Sequence, residues 1–492
     1  MPYIGRAPTA SITKLEDADQ DTKIQVEESS DEDIIRFDIA GAEDFTMTAN
    51  TLNVLSGSTL NINSGATIAN SGTATGFTDL TAIADGSAGS PSIANTGDTN
   101  TGIYFPAADT VGMVTGGTEQ FRFGSNPIPG GSKNLVQNGN FTVAQRGTTV
   151  TSPANGDYLP TDRWKNWQTT GGAVEVTKDT SGVFAAFGTD TAMKIDVTTA
   201  ESSVAAGDYF VVTHPIEAQN LQHLKYGLAG AEAITVSFCF QSPKSGTHYV
   251  AIYQADGNRY IWRPFTVTSA DTAEYFSLTF AGDTSGTINN DTGIGFNLYF
   301  PLMAGTDSEG GSDNTWASGA KYGAATMQNL LDNTANNIYI GLVQMEVGSV
   351  ATDFEFEDYG TTLSKCHRYL QYWGPVANAE FDRQGAYAWK ANTADGVNAV
   401  YIMVDLDAKA RMRGTPTFTT SGVGATNWKL YTGTRSLDVI TVMSGAGLAN
   451  ATTSGLVSIY IAATGTDFTV GSPVMLVAGT SGSAFYYFSA EL

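Results

Sequence analysis

Apolar side chains in this chain fall into short runs of strand character divided by turn-rich segments, and long helical periodicity is nearly absent. Between 134 and 357 such runs cover 173–177, 192–197, 209–213, 234–240, 248–253, 260–267, 275–280, 295–300 and 337–346. Spaced strands without helices between them predict an antiparallel β-sandwich, a jelly roll. The period changes once, over 361–373, where Leu363, Cys366 or His367, Leu370 and Trp373 share one helical stripe behind a Thr cap. Beyond 375, runs at 400–406, 439–442, 457–462 and 485–488 predict a second, smaller β-domain.

A different pattern precedes the sandwich. Thr51-Leu52-Asn53-Val54 recurs as Thr59-Leu60-Asn61-Ile62 and, weakened, as Thr67-Ile68, a period of eight residues. So short a repeat cannot bury its own Leu52, Val54, Leu60, Ile62 and Ile68. It needs stacked turns or identical chains beside it. Two to three stacked turns bury too little to stand alone, so an intertwined β-shaft is expected over 45–90. Residues 1–44 carry the acidic run Glu27-Glu28-Ser29-Ser30-Asp31-Glu32-Asp33 and read as an attachment segment. A short β-module and the Pro/Gly linker Asn126–Ser132 fill 91–133, the jelly roll 134–357, a helical connector 358–374 and the last β-domain 375–492.

Composition agrees with a β-rich rod of several modules: 492 residues exceed one core, 54 are glycine, and only 15% are charged. A net charge of −24, with 25 basic against 49 acidic residues, argues against nucleic acid as a partner. With neither an N-terminal apolar run nor an 18-residue apolar stretch, the expectation is a chain made in a cytoplasm. Cys239 and Cys366 lie far apart, outside any metal-like spacing, and are expected as free buried thiols.

Four segments carry a resemblance. Met1-Pro2-Tyr3-Ile4-Gly5-Arg6 resembles the particle-proximal start of marine phage fibres, and Gly97–Tyr104 with Ala107–Gly112 resembles a stretch that follows their shafts. Asn134-Leu135-Val136-Gln137-Asn138-Gly139-Asn140-Phe141, with Asp162-Arg163-Trp164, is similar to the opening of jelly-roll carbohydrate-binding modules. Gln344–Gly348, Ala351–Phe356 and Cys366-His367-Arg368-Tyr369 resemble the strand-to-helix junction near the ends of such fibres. The resemblance is to phage tail-fibre and receptor-binding proteins. It implies a homotrimer held by its N-terminus to phage tail, baseplate or adaptor proteins, located on the virion and assembled in the host cytoplasm. Its distal β-domains would bind cell-surface polysaccharide or lipopolysaccharide.

No catalytic constellation stands out: Gly-x-Ser-x-Gly, His-Glu-x-x-His, P-loop and Cys-x-x-Cys are all missing. His367 reads as a packed or capped histidine. The pairs Glu355 with Glu357 and Asp405 with Asp407 read as solvated strand edges, and the acidic Gly-rich loops 283–291 and 307–314, lacking EF-hand spacing, as solvated turns. No cofactor, metal or enzyme activity is expected; the alternatives are a fibre that also depolymerises polysaccharide and a structural head or neck appendage. Sugar rings lie on Trp or Tyr faces, and 7 Trp and 21 Tyr supply candidates. Tyr387, Trp389, Trp428 and Tyr431 in the last domain are the expected ligand-binding residues. Trp167 joins them as the exposed partner of a core Trp164.

Overall fold

A computed structural model describes residues 14–26, 33–59, 84–108, 110–123, 133–373, 383–392, 398–406, 409–421, 428–432, 437–446, 456–464, 474–478 and 485–492. It divides into two compact units, Met1–Ala84 and Asp85–Leu492. The described chain is all-β, with short 3-10 turns and one α-helix.

The first unit is a five-stranded antiparallel meander of β1 (Lys14–Glu16), β2 (Lys23–Gln25), β3 (Ile35–Ile39), β4 (Ala42–Thr48) and β5 (Thr51–Val54), paired in that order. The first octad, Thr51–Val54, is therefore a strand of this sheet, hydrogen-bonded to β4 of its own chain. The boundary expected at 44 falls inside β4, because the strands of 14–48 and the first repeat build one sheet. The remaining octads lie outside the described residues. Four strands open the second unit: β6 (Ile93–Asn95), β7 (Asp98–Ala107), β8 (Thr110–Thr115) and β9 (Thr118–Phe123), again in sequence order.

The sandwich has two six-stranded sheets. One runs β10 (Thr149–Thr151), β12 (Ala173–Asp179), β13 (Ala192–Thr199), β21 (Asn337–Val347), β15 (Ile234–Gln241) and β18 (Glu274–Phe280). The other runs β11 (Lys165–Thr169), β14 (Tyr209–Glu217), β19 (Ile294–Ala304), β16 (Gly246–Gln254), β17 (Arg259–Val267) and β20 (Ala317–Ser318). Every strand expected here is present. The core between the sheets is aliphatic and Phe-rich, with Phe210, Phe238, Phe280, Phe296 and Phe300 at or near zero exposure. Trp164 lies in it, 4.9 Å from Phe141 ring to ring, its indole N–H donating to the Asn138 carbonyl.

Helix α1 spans Tyr359–His367, shorter than its periodicity indicates. Its N-cap is Asp358, whose carboxylate accepts the Thr361 N–H at 3.0 Å. Leu370 and Trp373 lie instead in strand β22 (Leu370–Trp373), which pairs with β30 (Tyr486–Ser489) and through it with β25 (Thr417–Thr420). Strands β23 (Arg383–Asn392), β24 (Asn398–Asp405), β28 (Leu456–Thr464), β27 (Leu437–Ala446), β26 (Trp428–Thr432) and β29 (Val474–Ala478) close a barrel.

Both cysteines are free and buried, and burial alone pushes the Cys239 thiol up to about 12. Burial and then the nearby Lys409 lower His367 to about 4, which keeps it neutral, as a packed histidine would be. The expectation of solvated turns fails at Asp283, which is buried and ion-paired to Arg259 at 2.5 Å. Glu355 and Glu357 lie outside any strand: Glu355 accepts the Asn134 N–H, and Glu357 pairs with Lys365.

Candidate functional site

Alternation along four strands sorts the aromatic residues by type. On β14, β16, β17 and β19 the positions facing the core are Phe210, Val212, Val250, Ile252, Ile261, Phe265, Leu298 and Phe300. Positions between them, on the outer face of the same sheet, include Tyr209, Tyr249, Tyr253, Tyr260, Trp262 and Tyr299. Phe fills the dry interior, while Tyr and Trp, each with a polar handle, occupy the outside. Trp167 on β11 joins this outer cluster, opposite Val211 of β14.

One half of the outer face is covered by the segment 305–329. The Trp262 indole N–H donates to the Gly310 carbonyl at 2.7 Å, Tyr249 and Thr326 share a hydroxyl hydrogen bond of 2.5 Å, and Gly311 and Gly323 pack on Tyr260 and Tyr249. The other half stays open. Trp167, Tyr209 and Tyr253 are half-buried there, Tyr299 forms its floor, and Tyr322, from the covering segment, stands at its edge. Tyr322 lies 5.5 Å from Tyr209 and 5.2 Å from Tyr299, ring to ring, and Tyr253 stacks near Tyr299 at 6.5 Å. The rings thus form one connected aromatic surface.

Local chemistry holds Trp167 in place. Gly156, at φ +84°, turns the chain so closely beneath it that an added Cβ would stand 3.1 Å from the indole. Lys165, two residues back and on the same face, sets its ammonium 4.3 Å from the Trp167 ring centre and donates to the Leu492 carbonyl at 3.1 Å. Burial pushes the Tyr299 and Tyr322 phenols well above their ordinary value, with the neighbouring tyrosines adding to the effect. Their hydroxyls are neutral donors and acceptors at any physiological pH. The Tyr253 hydroxyl donates to Asn258 Oδ1 at 3.0 Å. An aromatic surface edged by hydroxyl, amide and ammonium groups can offer a ring face to the C–H face of a sugar ring and hydrogen-bond its substituents.

The expected residues of the last domain fare differently. Trp428 has no exposed surface; its ring packs 5.6 Å from Tyr486, so it is a core residue and offers no face to a ligand. Tyr387 and Tyr431 each stand opposite Met475 in the barrel register, and Trp389 lies two residues along β23 from Tyr387. The side chains of Tyr387, Trp389 and Tyr431 lie outside the described residues. Of the expected group, Trp167 and Trp428 have described side chains, and Trp167 belongs to the open outer face. Tyr209, Tyr253, Tyr299 and Tyr322 were missed. For the first three the signal was legible in strands whose Tyr alternates with Phe, Val, Ile or Leu.

No protein-family model and no curated protein matches this chain. Among solved structures, one described as "CBM4 structure and function" is similar at 15% identity, covering 43% of this chain and 99% of that one, with a TM-score of 0.25. A family 11 carbohydrate-binding module of a Clostridium thermocellum cellulosomal cellulase is similar at 12%, covering 42% and 98%, with a TM-score of 0.22. The enzymatically active domain of bacteriophage CBA120 tailspike protein 4 is similar at 11%, covering 44% of this chain and 21% of that one, with a TM-score of 0.22.

Proposed function

We propose that the protein is a homotrimeric phage tail fibre, attached to the virion by its N-terminus, which adsorbs to the host by binding cell-surface glycan on the open half of the Tyr/Trp face. The observation that carries the binding reading is the sorting of aromatic types: Trp167, Tyr209 and Tyr253 outside, Phe210 and Phe300 inside, on one sheet. In the covered half the polar handles of Tyr249 and Trp262 are taken up by the segment 305–329, while Trp167, Tyr209 and Tyr253 keep part of their ring surface exposed. The fibre reading is supported by the sequence resemblance of the four quoted segments. The role assigned is binding without cleavage, with polysaccharide or lipopolysaccharide as the ligand class.

Shallow aromatic contacts of this kind bind weakly one at a time, and three copies on a trimer raise avidity without a deep pocket. Titration of the purified chain with host surface polysaccharide tests the assignment. Trp167→Ala and Tyr209→Ala are each expected to weaken binding about tenfold, or about 1.4 kcal/mol, with an unchanged circular dichroism spectrum. Undiminished affinity in both variants would refute the site. Release of reducing ends during the same incubation would refute binding without cleavage.

A further inference from the structure

The connection between β19 and β21, residues 305–336, is the longest in the sandwich, and its only regular structure is β20 and a 3-10 turn. Long connections of this kind in a compact domain commonly serve function. Its first part, 305–329, lies directly on the outer Tyr/Trp face. Gly311, at φ +84°, rests on Tyr260, where an added Cβ would stand 2.5 Å from the hydroxyl, and Gly323 rests on Tyr249, where one would stand 2.7 Å from the ring. With no side chain between, peptide backbone occupies ring surface that a flat ligand would otherwise use.

The segment is a fixed wall. Trp316 packs beside Tyr226 and Phe296, 5.7 and 6.5 Å away ring to ring, and its indole N–H donates to the Ala281 carbonyl at 2.7 Å. Asn314 donates its N–H to the Trp262 carbonyl at 3.1 Å and accepts the Ala281 N–H at 2.9 Å. Strand β20 pairs with Arg259 and Tyr260 of β17, and the Gly310 N–H closes the segment on itself through the Gly323 carbonyl at 2.9 Å. Along the strands both ends of the face are also occupied. Gly305 and Asp307 are held by the carbonyls of Asp208 and Ala206 at one end, and Leu492 is held by Lys165 and Tyr158 at the other. The remaining margin differs: β11 is the edge strand of the sheet, the turn beneath Trp167 is a glycine, and Trp167 keeps part of its surface exposed.

We infer that the aromatic face is a platform with one open side, entered over β11 at Trp167 and stopped at Tyr322, so that it takes the end of a glycan chain and turns away internal stretches; the inference deepens the glycan reading above and rests on it. From β11 to β16 the open part spans three strand spacings, about 14 Å, room for a few sugar rings. A chain lying across the strands from Trp167 toward Tyr253 meets the backbone of 310–323 before it reaches β17, and Tyr322, packed against Tyr209 and Tyr299, stands at that stop. An internal stretch would have to continue over Tyr249, Tyr260 and Trp262. Displacing the segment to let it pass would strip the Trp262 indole of the Gly310 carbonyl and the Tyr249 hydroxyl of Thr326, a loss the added ring contacts would have to offset.

Calorimetric titration of the full chain with host surface polysaccharide, separated into fractions of known mean length, tests this. A polysaccharide about four times longer offers about four times as many internal positions but still one matching end. End recognition therefore predicts the same affinity per mole of polysaccharide in every fraction. Affinity per mole that climbs in proportion to length would overturn the one-sided platform and leave the glycan site standing, whereas absence of binding in every fraction would refute both. Tyr322→Ala, which removes the ring at the stop, is expected to weaken binding of all fractions about fivefold. Unchanged affinity in that variant, with flat affinity across the wild-type fractions, would overturn the placement of the stop at Tyr322.

Discussion

Glu217 has no exposed surface, and its charge is answered by residues distant in sequence. Arg368 grips it with two hydrogen bonds, 2.7 and 2.9 Å, and the Tyr369 hydroxyl donates at 2.5 Å. Burial by itself would raise this carboxyl, but Arg368 and then Tyr369 outweigh it and hold it below the usual range. Nearby, burial and then Arg163 keep His214 well below its ordinary value, so it stays neutral. Both shifts have the same sign for stability. The unfolded chain takes up a proton on His below about pH 6.5 and on Glu below about 4.3, while the folded chain resists, so stability is full above those values and falls as the pH drops. The melting temperature should be level above about pH 7 and decline in two stages. The first, beginning near pH 6.5, should be shallower in His214→Gln, because burial also holds His223, His248 and His367 below their ordinary value and leaves them to contribute the rest. The second, below about pH 4.3, should be shallower in Glu217→Gln. That variant should also cost about 2 kcal/mol at neutral pH, less than a fully buried pair because Arg368 keeps partial contact with water. Identical pH profiles in wild type and variants would refute this account. Arg368 and Tyr369 stood out in the sequence as part of a motif, and so did Arg163, but Glu217 carried no local signal. Nothing within a strand indicates which glutamate will meet an arginine 151 residues away.

A single strand of the sandwich shows what alternation controls. Phe210 and Tyr209 are adjacent on β14 and point to opposite faces, one into the core and one into the aromatic platform. Phe210→Ala should therefore cost about 3–5 kcal/mol by leaving a cavity, whereas Tyr209→Ala should unfold at nearly the wild-type urea midpoint and lose glycan affinity. The reverse ranking in urea would show that the outer face is a second core. At this scale the chain was largely legible, since period-two patterning is local and nine of the twelve strands of the sandwich were anticipated; the short edge strands β10, β11 and β20 were not. The helix was legible in kind but not in length. After His367 the stripe continues in sequence, but Leu370 and Trp373 pair with β30, and a ladder formed with a strand more than a hundred residues away overrides local periodicity. The cap came from Asp358 rather than Thr because a carboxylate preceding the first turn accepts the same amide.

Across the second unit, the last residues of the chain return to the first turns of the sandwich. Arg163 is fully buried, ion-paired to Glu491, donates to the Pro215 carbonyl at 2.9 Å and lies 3.4 Å over the Tyr369 ring. Arg413 binds the carbonyls of Ala490 and Glu491 at 2.8 and 3.0 Å. The sandwich and the terminal strands therefore share a buried ionic junction. A chain ended before Gly374 would strip Arg163 of its carboxylate, so its sandwich should melt well below that of the full chain, and Glu491→Gln alone should cost about 3 kcal/mol by urea unfolding. A truncated sandwich of unchanged melting temperature would show that the junction is incidental. Truncation is accordingly a poor test of host adsorption, and substitution of Trp167 a better one.

The sequence by itself determined the all-β class, nine of the twelve strands of the sandwich, the burial of Trp164 and both thiols, and the greater exposure of Trp167. Each follows from residue type and period, which act over a few neighbours. Only the tertiary structure decided that Trp428 is core, that the first octad is a strand of a meander and that Asp162-Arg163-Trp164 and Cys366-His367-Arg368-Tyr369 meet where Arg163 lies over the Tyr369 ring. It also placed Tyr322 on the aromatic surface. Those outcomes depend on which strands pair and which loops return, and pairing is set by packing between residues far apart in the chain, where local pattern carries no information.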